Sequence, residues 1–284
     1  MQTLEGKTAV VTGAASGMGK AFATRFAQEG MNVVLADVEA PRLDATVAEI
    51  DALTSEGASA IGIVTDVADA DAVHRLAAAA IGTYGQVNVL CNNAGVGGGS
   101  LSAAPGNVHL PDWTWVMGVN FWGVVHGHEA FLPHMLEHGD GHVVNTASMA
   151  GHFPGHSAYS ASKWAVVGIT EGLYNSLRAS GSSLGVSCLC PGWINTDIGQ
   201  SARNRPEWAA PNALTEPDPE AEARHQFVLD ALASGLPPEG VADLVVKAIL
   251  GEEFWIFTHD DMVASLAPRF DAVLKHTNPP GFLL

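Results

Sequence analysis

Short runs of apolar and β-branched residues alternate along the chain with longer stretches in which apolar positions recur every three or four residues. The short runs are Thr8–Thr12, Asn32–Asp37, Ser59–Val64, Val87–Cys91, His142–Ala147, Val186–Cys190 and Phe254–Thr258. Each is too short for a typical helix and reads as a strand. The longer stretches, Met18–Glu29, Leu43–Ser55, Ala70–Tyr84, Trp113–Glu137, Ala158–Ala179 and Val241–Leu250, read as helices. Strands that are apolar throughout are buried on both faces, and helical crossovers between them force parallel pairing in right-handed units. The pattern predicts an α/β fold, a doubly wound seven-stranded parallel sheet, with residues 1–284 as one domain. Ligands of such sheets sit beyond the carboxyl ends of the strands, where the strand order reverses.

Composition narrows the partners. The 284 residues carry 13 Lys and Arg against 30 Asp and Glu, a formal charge of -17. That excess disfavours nucleic acid and anionic lipid, both of which bind through counterion release. No basic segment followed by an apolar stretch opens the chain, and no run approaches the eighteen or so apolar residues of a membrane span, so no membrane association is expected. The 3 cysteines, Cys91, Cys188 and Cys190, have no C-x-x-C spacing and fit a reducing cytoplasm. Of 12 histidines, His134 and His138 stand one turn apart, but no H-E-x-x-H occurs and no metal is expected.

The first strand ends in Thr12-Gly13-Ala14-Ala15-Ser16-Gly17-Met18-Gly19, which opens the first helix. Glycines let backbone approach a pyrophosphate, and a helix start offers N–H groups and partial positive charge. Asp37 ends the second strand about twenty residues further on, where a carboxylate accepts the hydroxyls of an adenine ribose and repels a 2′-phosphate. Neither Ser16 nor Val38 is a cation, and Arg42 lies one turn beyond, so NAD is expected in preference to NADP.

Tyr159 and Lys163 are four apart at the start of a predicted helix and share a face. A phenol with a pKa of about 10 must shift by about 3 units, about 4 kcal/mol, to exchange protons near pH 7. The Lys163 cation and an oxidised nicotinamide both favour that shift. Ser148, at the end of the fifth strand, is placed to hydrogen-bond a reacting oxygen, and Asn120 to hold a water linking Lys163 to solvent. With these residues in order, the chain resembles the short-chain dehydrogenase/reductase family in its compact single-domain branch. Thr12-Gly13-x-x-x-Gly17-x-Gly19 resembles its cofactor turn, Asp66-Val67 its adenine contact, and Asn92-Asn93-Ala94-Gly95 its fourth-strand motif. Asn120, Ser148, Tyr159 and Lys163 look like its catalytic tetrad. Pro191-Gly192 with Thr196 resembles the segment that grips the nicotinamide carboxamide, through the Ile194 backbone and the Thr196 hydroxyl.

The resemblance implies a Rossmann fold, residues 196–238 as a lid over substrate, and a homodimer or homotetramer paired through Trp113–Glu137 and Ala158–Ala179. It implies reversible hydride transfer between nicotinamide and a small-molecule secondary alcohol or ketone. Met149, Phe153, Trp193, Trp208 and Phe227 predict an apolar, partly aromatic pocket, reached also by His152 and His156. A bulky ring-bearing alcohol, including a benzylic one as handled by the lignin-type aryl-ether dehydrogenases that the chain also resembles, and a bicyclic or steroid-like alcohol both fit that composition. The alternative is an NAD(P)-sensing module that turns nothing over. Asn88 departs from the family's usual aspartate and is expected to loosen a turn, and a Ser148–Tyr159 loop about two residues shorter than usual reshapes the pocket wall.

Overall fold

The computed structural model describes residues 1–55, 57–98, 108–210 and 219–281. The strands are β1 (Thr8–Thr12), β2 (Asn32–Asp37), β3 (Ala60–Val64), β4 (Val89–Asn92), β5 (His142–Thr146), β6 (Gly185–Cys190) and β7 (Trp255–Phe257). They form one sheet in the order β3-β2-β1-β4-β5-β6-β7. Every pairing is parallel, in registers such as Val10 with Val34 and Val10 with Leu90. The order reverses between β1 and β4, so the crevice of a doubly wound sheet opens above the ends of those two strands.

The helices are α1 (Gly17–Gln28), α2 (Ala40–Asp51), α3 (Ala70–Tyr84), α4 (Leu110–Met117), α5 (Gly123–His138), α6 (Ala158–Ala179), α7 (Pro219–Ala233), α8 (Pro238–Gly251), α9 (Asp260–Ala264) and α10 (Ala267–Lys275). Because successive strand side chains point to opposite faces, Val11, Val33 and Leu35 pack with Phe22, Phe26, Leu43 and Ile249 on one side. Val10, Val34 and Leu90 pack with Leu76, Phe131 and Leu177 on the other. No helix among the described residues is long and apolar enough to cross a membrane.

Three local outcomes differ from the sequence expectation. The stretch expected to be one helix from Trp113 to Glu137 is α4 and α5 joined by a π turn at Gly118–Trp122. Its interior residue Asn120 is buried and bonded to a strand-end loop, a non-local contact that periodicity does not report. Asn88 does not loosen its turn: its Oδ1 accepts from Thr8 N–H (3.1 Å) and its Nδ2 donates to the Asp140 carbonyl (3.0 Å), a bridge between segments that a carboxylate could only half make. Finally, α7, α9 and α10 occupy stretches without a clear helical signal, and α10 is tied down by Arg269, whose guanidinium stacks 4.3 Å from the Trp164 ring.

His142 in β5 is fully buried. Ser187 donates its proton to the Glu253 carbonyl (2.6 Å), so its oxygen receives Nε2–H of His142 (2.7 Å). That leaves Nδ1 without a hydrogen-bond partner among the described residues, and burial pushes the pKa from 6.5 down to about 3. Between those two values the unfolded chain binds the extra proton, so the stability of the neutral imidazole is present in full above pH 6.5 and is lost as pH falls toward 3. The expected loss from this residue between pH 6 and 4.5 is about 2 kcal/mol. Urea unfolding at the two pH values checks it: the slope should be visibly shallower in His142→Gln, and an unchanged slope would rule out this residue as the source.

Candidate active site

The glycine turn is locked against the end of β4. Thr12 Oγ1 accepts from the N–H groups of Asn93 (2.9 Å) and Ala94 (3.0 Å), and Asn93 Nδ2 donates to the Thr12 carbonyl (3.0 Å). This brings Gly13, at φ +66°, so close to Ala94 that a Cβ would stand 2.8 Å from its Cα. Gly19 is tighter still: a Cβ there would lie 2.0 Å from the Gly13 carbonyl oxygen. The result is a side-chain-free floor, with Ser16, Gly17 and Met18 at the start of α1, lining a crevice of about 570 Å³.

Asp37 stands at one end of this crevice. Its Oδ2 accepts from Ala15 N–H (3.0 Å) and its Oδ1 from Glu39 N–H (3.0 Å), which fixes the carboxylate against the glycine turn. Each oxygen keeps a lone pair for a further donor, such as a ribose hydroxyl. Asp66, Val67, Asn93, Ala94, Gly95, Lys163, Pro191 and Thr196 line the same crevice. Gly192 and Ile194 line the neighbouring cavity.

That second cavity, about 180 Å³, is lined by Ser148, Met149, Phe153 and Trp193. Tyr159, Met18, Pro191, Thr196 and Ile198 line both spaces, so the phenol stands where they meet. Ser157 caps α6 by accepting from Ser160 N–H (3.1 Å), which puts Tyr159 in the first turn and Lys163 one turn on. Lys163 is 2 % exposed; its Nζ donates to the Thr146 carbonyl (2.8 Å) and lies 5.7 Å from the centre of the Tyr159 ring. Burial lowers its pKa to about 8.

Burial raises the pKa of Tyr159 above 10, while the adjacent Ser148 hydroxyl works in the other direction. The expected acidification by Lys163 does not show in the balance at Tyr159, where burial dominates. Asn120 is one layer behind. Its Oδ1 accepts from Val96 N–H (2.8 Å), and its Nδ2 donates to the Val96 carbonyl (3.0 Å) and Ser162 Oγ (3.1 Å). The side chain thus braces the strand-end loop, and Gly95 lies between it and Lys163.

The expected pocket wall is corrected in four places. Trp208 borders the crevice and is 60 % exposed, and Phe227 is 57 % exposed with its edge on Trp193. His152 is buried, with Nε2 3.4 Å from Cys190 Sγ and its ring against Trp255 and Phe257. His156 is exposed and lines neither space. The segment expected to cover substrate divides its work. Residues Asp197–Asn204 cross to the Asp37 end of the crevice, where Glu39 Oε1 accepts from Arg203 Nε (3.0 Å), Arg203 Nη2 (2.8 Å) and Asn204 Nδ2 (2.9 Å), and Arg42 Nη1 donates to Asp197 Oδ2 (3.1 Å). Burial pushes the Glu39 pKa up, but these hydrogen bonds from Arg203 and Asn204 prevail and hold it below the usual value. Residues 211–218 of the expected lid lie outside the described residues. Beyond them α7 borders the second cavity through Arg224, His225, Val228 and Leu232. Glu39, Arg203, Arg224 and His225 were not among the predicted site residues, since none sits in a motif. The excursion is pinned at its base, where Asn195 N–H donates to the Leu236 carbonyl (2.9 Å) and Leu236 N–H to that of Trp193 (3.0 Å).

A doubly wound sheet carrying a glycine turn, a strand-end carboxylate and a Tyr-Lys pair at its switch point defines a Rossmann-type protein with an adjoining small-molecule cavity. The short chain dehydrogenase family model matches residues 7–207, and the chain belongs to this family of oxidoreductases. It is 35 % identical over 280 residues to 1-deoxy-11-beta-hydroxypentalenate dehydrogenase of Streptomyces exfoliatus, covering 98 % of this chain and 92 % of that one. It is 31 % identical over 284 residues to the C alpha-dehydrogenase of Sphingobium sp. (strain NBRC 103272 / SYK-6), covering 98 % and 89 %. Among solved structures, a short chain dehydrogenase/reductase from Burkholderia phymatum in complex with NAD is 41 % identical and superposes with a TM-score of 0.91 over the whole of both chains.

Proposed function

We propose that this chain is an NAD-dependent dehydrogenase of small secondary alcohols, or reductase of the corresponding ketones, with Tyr159 as general acid and base. The observation that carries the reading is the position of Tyr159 on both spaces, with Lys163 on the dinucleotide side and Ser148 on the substrate side. The cradle fits a dinucleotide: a Cβ at Gly13 or Gly19 would fill it, and Asp37 presents a fixed carboxylate at its far end. NAD supplies the hydride acceptor, C4 of its nicotinamide ring, when bound. Gly13, Ser16, Gly17, Met18 and Gly19 would hold the pyrophosphate, Asp37 the ribose hydroxyls, and Asp66 and Val67 the adenine, while Asn93, Ala94 and Gly95 flank the cradle. Pro191, Gly192, Ile194 and Thr196 would hold the carboxamide. Ser148 orients the carbinol oxygen, Tyr159 Oη takes its proton, and Lys163 would hold the nicotinamide ribose, its charge favouring the phenolate. Asn120 braces the loop beside Lys163 and sustains the proton path.

The solved relative in complex with NAD supports the choice of cofactor. Arg42 also supports it, because its guanidinium is paired with Asp197 and Glu39 instead of standing ready for a 2′-phosphate. A cavity of about 180 Å³ falls below the roughly 300–1,000 Å³ of drug-sized sites, which favours a compact alcohol over a steroid-like one. The reading includes one dinucleotide-binding and catalytic domain with 196–238 as its lid, assembled as a homodimer or homotetramer, for which the exposed Trp122 and Leu136 are available.

Reduced-nicotinamide absorbance on mixing the protein with NAD and a panel of secondary alcohols tests the reading; tight NAD binding with no turnover of any member would replace it by the sensor. The strap from Asp197 to Asn204 has its own test. Arg203→Ala removes a partly exposed ion pair of about 1 kcal/mol, so NAD should bind about fivefold more weakly, and the difference should shrink in high salt. Fluorescence titration reads both, and an unchanged dissociation constant refutes the strap.

A further inference from the structure

In a chain with 30 acidic and 13 basic side chains, a cavity lined without regard to charge would carry mostly carboxylates among its charged members. The cavity beside Tyr159 is the reverse. Among the described residues that line it there is no Asp or Glu and one fixed charge, the Arg224 guanidinium, with the His225 imidazole next to it on α7. The remaining lining is largely apolar, with Phe153 and Trp193 in the wall and the Ser148 and Tyr159 hydroxyls at the reacting end. A cation on an apolar cavity acts through a lower dielectric than one in water, so it discriminates strongly between charged and neutral ligands.

We propose that the substrate is a compact secondary alcohol, or its ketone, that carries a carboxylate, and that Arg224 anchors that carboxylate with His225 as a second donor. The proposal rests on the dehydrogenase reading above and narrows its substrate class. A guanidinium meets a carboxylate two-pronged, which fixes orientation as well as affinity. Arg224 has a partner within its own chain; with five N–H donors, one guanidinium serves that partner and a ligand together. The volume of about 180 Å³ favours a short span between carboxylate and carbinol. Anchoring the far end of so short a molecule would hold its carbinol against Ser148 and Tyr159, so binding energy at Arg224 is spent on orientation at the reacting carbon.

The test compares 3-hydroxybutanoate, 4-hydroxypentanoate and 5-hydroxyhexanoate with their methyl esters and with 2-pentanol, using the full chain and NAD and reading kcat/KM. For the best member of the series the acid should exceed its ester by about tenfold or more, the equivalent of one hydrogen bond to a charged group. In Arg224→Gln that ratio should fall toward one, and in Arg224→Lys, which keeps the charge but not the fork, it should lie between. A wild-type ratio of one or less overturns the anchor, and so does a ratio that Arg224→Gln preserves. Should Arg224→Gln fail to fold, the wild-type and Arg224→Lys ratios decide, an unchanged Lys ratio counting against the fork. Turnover confined to the esters and 2-pentanol overturns the anchor alone. Silence toward every compound with NAD bound overturns the dehydrogenase reading and the anchor with it.

Discussion

Tyr159→Phe is expected to lower kcat by about 10²–10⁴, the usual contribution of a positioned general acid or base, while the dissociation constant for NAD stays within about twofold. The substitution removes one hydroxyl and leaves the ring in its cluster with Val96, Trp115 and Ala158, and it leaves Lys163 bonded to the Thr146 carbonyl. Steady-state rates and a cofactor titration on the same preparation check both halves, and a variant within tenfold of wild-type turnover would remove Tyr159 from the chemistry. The pH dependence sharpens the expectation. Burial holds the phenol above its ordinary pKa of 10, against the pull of Ser148. An ionised phenol near neutral pH thus requires added positive charge, and a unit charge about 4 Å away at an effective dielectric near 20 is worth about 4 kcal/mol, or about 3 pKa units. Tyrosinate absorbance should therefore appear at distinctly lower pH in the NAD complex than in the free protein. Lys163 loses its proton as pH rises through about 8, so its positive charge is present below that value and fades above it.

Gly19→Ala is expected to lose about 1–3 kcal/mol of stability and at least about tenfold in NAD affinity. The added Cβ would stand 2.0 Å from the Gly13 carbonyl oxygen and 2.8 Å from Asn93 Nδ2. Backbone on one side and the Asn93–Thr12 hydrogen bond on the other leave no flexible side chain to give way, so the turn itself must open. The same change at Gly82, in α3, meets nothing within 4 Å and should be stabilising by about 0.5–1 kcal/mol through helix propensity. Thermal melts of the two variants, with NAD titrations of the first, test whether close approach at the turn is the cause. Equal melting behaviour would argue against it.

The predicted site was legible to the extent that it is local. Tyr159 and Lys163 share a face because they are four apart in one helix, and the glycine turn adjoins Asp37 because strand, helix and strand follow one another directly in a right-handed unit. Reach beyond one unit was where inference stopped. Glu39 meets Arg203 across 164 positions, and nothing in the composition around either residue distinguishes that pair from exposed charges elsewhere. His152 adjoins the reacting loop in sequence yet turns into the core against Cys190, because an imidazole on an apolar neighbour is as compatible with packing as with a pocket.

The order of apolar runs, the glycine turn, the strand-end aspartate and the Tyr-Lys spacing determined by themselves a doubly wound sheet with its crevice at the switch point. Periodicity and short spacings state directly which side chains share a face. Tertiary structure alone decided that α4 and α5 part at a π turn, that the segment after Thr196 straps the Asp37 end of the crevice, and that Arg224, and no acid among the described residues, borders the second cavity. Those outcomes depend on contacts between segments far apart in the chain, where packing and the satisfaction of buried polar groups select one arrangement among many that the local pattern allows equally.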